Sequence, residues 1–267
     1  MIVRIASALV LAPLTLALLF YGTPWQLALF LSLLVVGLLY EWHRFRPPLV
    51  PADFVLSVGL GWLLVAAQYS GHAIWIPALL TGGMAAFIGT ATLRFSPQNR
   101  VLDRTGFLFL GLVYCAMPPV LLLQIYASVD GPAFLGVLLL VVWGTDIGAF
   151  FVGRALGKKK LAPHLSPGKT WAGFYGGLGA GLLVGWVAAI SFSLALGSWH
   201  AMALGVLLSV AGQLGDLVES MVKREAGIKD SGSLIPGHGG LLDRLDSLLF
   251  SAPVLGLYLF GVSLLGN

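Results

Sequence analysis

Nine apolar runs divide this sequence from end to end, each close to the roughly 20 residues that carry a helix across a hydrocarbon core of about 30 Å. They lie near residues 3–21, 25–41, 54–70, 73–93, 106–127, 132–152, 171–195, 199–221 and 245–265, separated by short polar, Pro and Gly stretches. A bilayer core offers no water to backbone N–H and C=O groups, so runs of this length are read as helices. The expected fold class is an all-α, polytopic integral membrane protein of about nine transmembrane helices. Composition excludes a water-soluble globule: 58% of the 267 residues are hydrophobic and 10% are charged, too little polar surface to clothe a sphere of this mass. The first run ends in Tyr21-Gly22-Thr23-Pro24 without a small-residue cleavage pattern, so it is expected to be retained as a span.

The basic residues test this count, because Lys and Arg are held on the cytoplasmic side of a membrane. Arg4 precedes the first run, Arg44 and Arg46 follow the second, and Arg94, Arg100 and Arg104 follow the fourth. Arg154, Lys158, Lys159, Lys160 and Lys169 follow the sixth, while Lys223, Arg224, Lys229 and Arg244 lie between the eighth and ninth. These are all 15 Lys and Arg in the chain, and the alternate loops around Gly22, Gly71, Asp130 and Ser198 contain none. The expected topology has a cytoplasmic N-terminus, an external C-terminus and a location in a bacterial-type cytoplasmic (inner) membrane. A net charge of +4 without a basic face interleaved with aromatics gives no reason to expect a nucleic-acid partner. Cys115 stands alone in an apolar run, which excludes a disulfide framework and a Cys-rich metal site.

Gly173, Gly177, Gly181 and Gly185 recur every four residues in the seventh run. Such a ridge suits close helix packing.

Ionisable residues inside apolar runs cost about 2.5–3.5 kcal/mol each at a helix centre and are functional candidates by default. Asp146 falls in the sixth run, Asp216 and Glu219 in the eighth, and Asp243 and Asp246 at the start of the ninth. The two pairs spaced by three residues share a helix face if the helix is continuous. Clustered carboxylates need protons or a cation between them, and an oxygen-only donor set favours a hard ion such as Mg²⁺. The plainer alternative for Asp146 is an ion pair with Arg154.

The segment between the eighth and ninth runs concentrates Lys223, Arg224, Lys229 and Arg244 beside Gly237, Gly239 and Gly240. Glycines let backbone approach a ligand closely, and consecutive N–H groups before a helix start form an anion-binding nest. Phosphate is the expected guest. Cations, a Gly-rich turn and Mg²⁺-binding carboxylates are the parts required for phosphoryl or nucleotidyl transfer. In the segment after the sixth run, Lys158–Lys160 suits generic attraction to anionic lipid. Ser166-Pro167-Gly168-Lys169-Thr170 is more specific: Pro167 and Gly168 are expected to force a turn that aims Lys169 and Thr170 at a helix start.

Ser220, Lys223, Arg224, Lys229, Asp230, His238, Gly239, Gly240, Asp243, Arg244 and Asp246 together form a long, spaced pattern that resembles the signature of the phosphatidate cytidylyltransferases (CDP-diacylglycerol synthases). Asp146-Ile-Gly-Ala-Phe-Phe-Val-Gly153-Arg154 and Ser166-Pro-Gly-Lys169-Thr170-Trp171 also resemble segments of that family. The detailed likeness spans roughly residues 140–250. Two positions depart from it: Phe150 stands where the family has Tyr, and Ala172 where it has Glu. Neither that phenol nor that carboxylate is then essential to an active chain.

The resemblance implies transfer of CMP from CTP to phosphatidate, held in the cytoplasmic leaflet of the membrane lipid, with CDP-diacylglycerol and pyrophosphate as products. Mg²⁺ is the implied cofactor, alone or with a second cation, held by Asp216 and Asp246 with Glu219, Asp243 and Asp146 as further candidates. Asp216, Asp243, Asp246, Lys223 and Arg244 are the expected catalytic residues. Lys223, Arg224, Lys229, His238, Gly239, Gly240, Arg244, Arg154, Ser166, Lys169 and Thr170 are expected to bind the CTP phosphates and the phosphatidate head group. The family also implies a homodimer, to which the glycine ridge is one candidate contact. Residues 1–130 then form an N-terminal set of helices. Residues 131–267 form the catalytic region, with cytoplasmic loops 153–170 and 222–244. A cation-coupled membrane transporter and a different membrane phosphotransferase are the competing readings. The first should show inverted repeats or broken helices and has no need of a Lys/Arg-rich Gly loop beside carboxylates; the second would use a different arrangement of aspartates.

Overall fold

The computed structural model describes residues 2–94, 101–194, 197–234 and 239–265, without the side chains of 2–11 and 263–265. Among these residues the chain forms nine α-helices: α1 (Ile2–Tyr21), α2 (Pro24–Arg44), α3 (Pro51–Tyr69), α4 (Ile76–Leu93), α5 (Val101–Tyr126), α6 (Gly131–Leu156), α7 (Trp171–Ser191), α8 (Ser198–Glu225) and α9 (Leu242–Leu265). Each apolar run is therefore a helix. Among the described residues eight of them, α2 to α9, are long and apolar enough to cross a membrane, α4 together with the one-turn 3₁₀ segment Ala73–Trp75 before it.

Proline at the first or second position starts α2, α3, α4 and α6, where its missing N–H is one the helix would leave unpaired and its fixed φ is already helical. Several helices outrun their apolar stretches at the charged end: α6 continues to Leu156 and α8 to Glu225. Arg154 sits in the last turn of α6, and Lys223 and Arg224 in the last turn of α8, where cations complement the free carbonyls.

Two hydrophobic clusters hold the bundle. Leu38 and Leu39 of α2, Leu64 of α3, Phe87 of α4 and Leu112 of α5 centre the first; Leu138 of α6 with Leu204 and Leu208 of α8 centre the second. Helix α9 joins both, through Leu242 and Leu249 in the first and Ala252 and Leu255 in the second. Packing therefore does not part at residue 130, and the N-terminal helices and the motif-bearing region share α9.

The glycine ridge of α7 is buried within the chain. A Cβ on Gly173 would lie 2.9 Å from Ala149 O of α6, one on Gly181 would collide with Ser209 of α8 and stand 2.9 Å from Thr145 Oγ1 of α6, and one on Gly185 would lie 2.8 Å from Gly205 Cα of α8. Thr145 and Ser209 hydrogen-bond across this contact at 2.6 Å between hydroxyls. The ridge wedges α7 between α6 and α8 and is not a free surface for a second subunit.

One local expectation is corrected. Residues 160–170 form a two-stranded antiparallel ribbon, β1 (Lys160–Ala162) and β2 (Ser166–Thr170). The turn falls at 163–165, while Pro167 and Gly168 lie inside β2 opposite a register shift between Lys160 and Ala162. In a ribbon with two edges, a proline at a bulge leaves no ladder donor unpaired. Thr170 still opens α7: its Oγ1 accepts a hydrogen bond from Gly173 N at 3.1 Å.

Candidate active site

Helix α8 presents Asp216, Glu219 and Lys223 at spacings of three and four, which puts them on one stripe of its surface. The first two turns of α9 bring Asp243 and Asp246 alongside. Gly215 allows this approach, since a Cβ there would stand 2.7 Å from Phe250 Cβ of α9. Helix α6 brings Asp146, and β2 brings Lys169.

Two lysines lie among these carboxylates. Lys169 Nζ is 2.7 Å from Asp216 Oδ2. Lys223 Nζ bridges Glu219 Oε2 at 2.9 Å and Asp243 Oδ1 at 2.6 Å. Asp146, Asp216 and Asp246 lie within Coulombic reach of one another, as do Glu219 and Asp246. Accessibility grades across the group: the Asp216 side chain is 40% accessible and that of Lys169 23%, while Glu219 falls to 2%. Asp146 is exposed and Asp246 buried. No ion pair joins Asp146 to Arg154 among the described residues; Arg154 is exposed two turns further along α6.

Three buried polar atoms of this group lack a hydrogen-bond partner among the described residues, Glu219 Oε1, Tyr114 Oη and Lys169 Nζ, the last held to Asp216 by its ion pair alone. Tyr114, on α5, lies within electrostatic range of Asp216, Glu219 and Asp246. Facing carboxyl groups and an unpartnered oxygen fit a bound cation. No three Asp, Glu, His or Cys side chains converge on one point among the described residues. An ion here would therefore take at most two of these carboxylates and complete its shell with water and substrate phosphates, as Mg²⁺ does.

The loop before α9 is organised by a residue that sequence reasoning passed over. Glu41 on α2 is fully buried. Its Oε1 accepts a hydrogen bond from Leu241 N at 2.8 Å, and its Oε2 accepts from Leu242 N at 2.8 Å and Ser231 Oγ at 2.9 Å. Asp243 Oδ2 accepts from Ser231 N and Gly240 N, each at 2.9 Å. The N–H groups of residues 240, 241 and 242 are therefore directed at the protein's own carboxylates. The anion that these three N–H groups meet is Glu41 together with Asp243; Gly237 of the expected phosphate nest lies outside the described residues. Glycine is needed at 240 because a Cβ there would run into Ser231 and lie 2.6 Å from Glu41 Oε2, and Gly239 turns the chain with φ +85°.

The remaining expected ligands lie around this core. Arg224, Lys229 and Arg244 are exposed, and Arg224 donates to Ile228 O at 3.4 Å. Ser166 is half-buried in β2, and the Thr170 hydroxyl is occupied in capping α7. His238 lies outside the described residues. Phe150 is exposed one turn beyond Asp146, edge-on to Phe151. Glu41 and Tyr114 carried little signal in the sequence: one is an acid at the end of an apolar run, the other a tyrosine inside one.

Fold and site together define a polytopic helical membrane protein with carboxylates and cations gathered at one end of its bundle. The chain belongs to the cytidylyltransferase family, whose model matches residues 2–262. It is 40% identical over 262 residues to a phosphatidate cytidylyltransferase of Brucella suis biovar 1 (strain 1330), covering 97% of this chain and 92% of that protein. It is 43% identical over 164 residues to a phosphatidate cytidylyltransferase of Staphylococcus haemolyticus (strain JCSC1435), covering 60% of this chain and 63% of that one.

Proposed function

We propose that this protein is a phosphatidate cytidylyltransferase: it transfers CMP from CTP to phosphatidate, forming CDP-diacylglycerol and pyrophosphate in phospholipid biosynthesis. The observation that carries this reading is the meeting of signature residues from α8, α9 and β2 in one polar group, with Lys223 between Glu219 and Asp243 and Lys169 on Asp216.

The chemistry asks little of protein side chains beyond charge and position. A phosphate oxygen of phosphatidate attacks the α-phosphorus of CTP, one P–O bond forms, and the bond to pyrophosphate breaks. A phosphomonoester's second pKa is about 6, so the nucleophile is already largely deprotonated near neutral pH and no general base is required. Lys169, Lys223 and Arg244, with Arg224, Lys229 and His238 nearby in sequence, neutralise the triphosphate and the charge that develops on pyrophosphate. Asp216 and Asp246, with Asp146 and Glu219 beside them, are the residues that would hold Mg²⁺, which would supply neutralisation of the CTP phosphates when bound. Asp243, with both oxygens engaged, orients Lys223 and the loop.

Placement in the membrane follows from the substrates. CTP is soluble and phosphatidate is held in a leaflet, so the site opens both to water and sideways to lipid. The one-sided Lys and Arg distribution supports a cytoplasmic site and N-terminus and an external C-terminus, in a bacterial-type inner membrane. The assembly is a homodimer that uses a face other than the ridge of α7. The transporter reading finds no support: among the described residues α1 to α9 run as unbroken helices, without the half-helices expected around a transported ion.

The deciding experiment supplies purified protein in detergent with labelled CTP, with and without phosphatidate. Labelled CDP-diacylglycerol and pyrophosphate are expected in equal amounts and only when phosphatidate is present. Pyrophosphate release independent of the lipid would overturn the assignment.

A further inference from the structure

Glu41 is a fully buried carboxylate that the reaction itself does not call on, and it belongs to α2, in the half of the chain without signature motifs. Burying a charge is costly unless it is paired or fully hydrogen-bonded. Here three donors converge on it: Ser231 Oγ, Leu241 N and Leu242 N. The two backbone donors open α9, where a carboxylate satisfies N–H groups the helix cannot and interacts favourably with its positive end. Ser231 lies six residues beyond the end of α8 and Leu241 immediately before α9, so one side chain ties together two points of the segment between these helices. The backbone must wrap closely to do so: a Cβ on Gly232 would lie 2.6 Å from Glu41 Oε1, and Gly240 is as tightly placed against Oε2.

The grip reaches the reacting groups in short steps. Ser231 gives its hydroxyl to Glu41 and its N–H to Asp243. Asp243 fixes Lys223, which also holds Glu219. Three residues beyond Asp243 on the same helix face stands Asp246. A carboxylate on α2 thus sets where α9 begins, and with it the position of Arg244 and Asp246 opposite α8.

We propose that Glu41 is a positioning residue for cytidylyl transfer: by clamping Ser231, Leu241 and Leu242 it fixes the start of α9, and through Ser231 the Asp243 carboxylate, in the geometry that turnover requires. The inference rests on the cytidylyltransferase activity stated above. It assigns to the N-terminal helices a part in catalysis beyond packing.

The test compares wild-type protein with Glu41→Gln, Glu41→Ala, Ser231→Ala and the Glu41→Gln/Ser231→Ala double variant. Each is measured for kcat and KM for CTP per folded molecule, and for thermal midpoint in detergent. Glutamine keeps one acceptor oxygen but turns an NH₂ group toward a donor, so it fills the space while spoiling the clamp. Glu41→Gln is expected to fold and to lose about tenfold or more in kcat, ~1.4 kcal/mol or more of transition-state stabilisation, with KM for CTP little changed. Ser231→Ala is expected to lose less. The double variant is expected to be no slower than Glu41→Gln, because residues that act as a unit are not additive. Folded Glu41→Gln protein that turns over at the wild-type rate would overturn the proposal even if Glu41→Ala failed to fold, and so would multiplicative losses in the double variant. Wild-type protein without activity would instead overturn the underlying reaction, and the positioning role with it.

Discussion

Lys169 of β2 places its ammonium 2.7 Å from the Asp216 carboxylate of α8, so the ribbon between α6 and α7 is tied directly to the carboxylate group. Both partners are partly accessible, at 23% and 40%, and such a pair contributes only about 0–1 kcal/mol to stability. Its value is positional. Lys169→Ala should leave the thermal midpoint nearly unchanged and lower kcat/KM for CTP by about 10–100-fold, ~1.4–2.7 kcal/mol. Steady-state kinetics beside a melting curve separates the two, and wild-type kinetics in the variant would remove Lys169 from the site.

Asp216 and Asp246 come from different helices, and Asp246 is buried while Asp216 is not. If they share Mg²⁺ with the CTP phosphates, chelation should abolish turnover and added Mg²⁺ restore it. Asp216→Asn and Asp246→Asn should each lose at least about 100-fold in kcat, ~2.7 kcal/mol. Near-normal turnover in both variants would refute the metal assignment.

Tyr114 offers a cleaner separation of stability from activity. Its hydroxyl is buried without a partner among the described residues, and an unsatisfied buried polar group costs about 1–3 kcal/mol. Tyr114→Phe is therefore expected to melt at the same temperature or higher. If the phenol faces bound substrate or its cation, turnover falls at the same time. A lowered melting temperature would mean that the hydroxyl already has a partner within the fold.

Two glycines of α7 should respond oppositely to the same change. Gly181→Ala drives a methyl group into Ser209 and toward Thr145, whereas a Cβ on Gly179 meets nothing within 4 Å. Overpacking of this kind costs about 1–3 kcal/mol. Thermal unfolding in detergent should show Gly181→Ala destabilised and Gly179→Ala unchanged or slightly stabilised, by up to about 1 kcal/mol. Equal behaviour of the two would contradict the wedging of α7 between α6 and α8.

The number and order of the helices were legible from the chain alone because they depend on local quantities, while several charged ends, such as those of α6 and α8, ran on past the apolar stretch. Apolar run length sets a span, proline marks its first turn, and Lys and Arg mark where it leaves the lipid. The candidate carboxylates were legible for the same reason: in a chain with 10% charged residues, an acid inside an apolar run stands out. Helix faces were harder to read. Lipid-facing and core-facing positions are both apolar, so periodicity does not reveal which side of a membrane helix meets its neighbour.

The tertiary structure decided where the backbone donors point. The stretch around Gly239 and Gly240 reads as a phosphate nest because the sequence does not show where its N–H groups point: Asp243, three residues on, takes Gly240 N, but Leu241 N has no such local acceptor. Folding supplies one from 200 residues away, as Glu41 on α2 takes Leu241 N. The ribbon at 160–170 was hidden for a related reason, since its pairing and bulge depend on cross-strand register and not on the preference of Pro167 for a turn. Sequence alone determined a membrane chain with a cation-rich carboxylate site near its C-terminal end. Only the folded chain determined that α2 holds that site in shape, because a buried charge must find its donors wherever packing brings them.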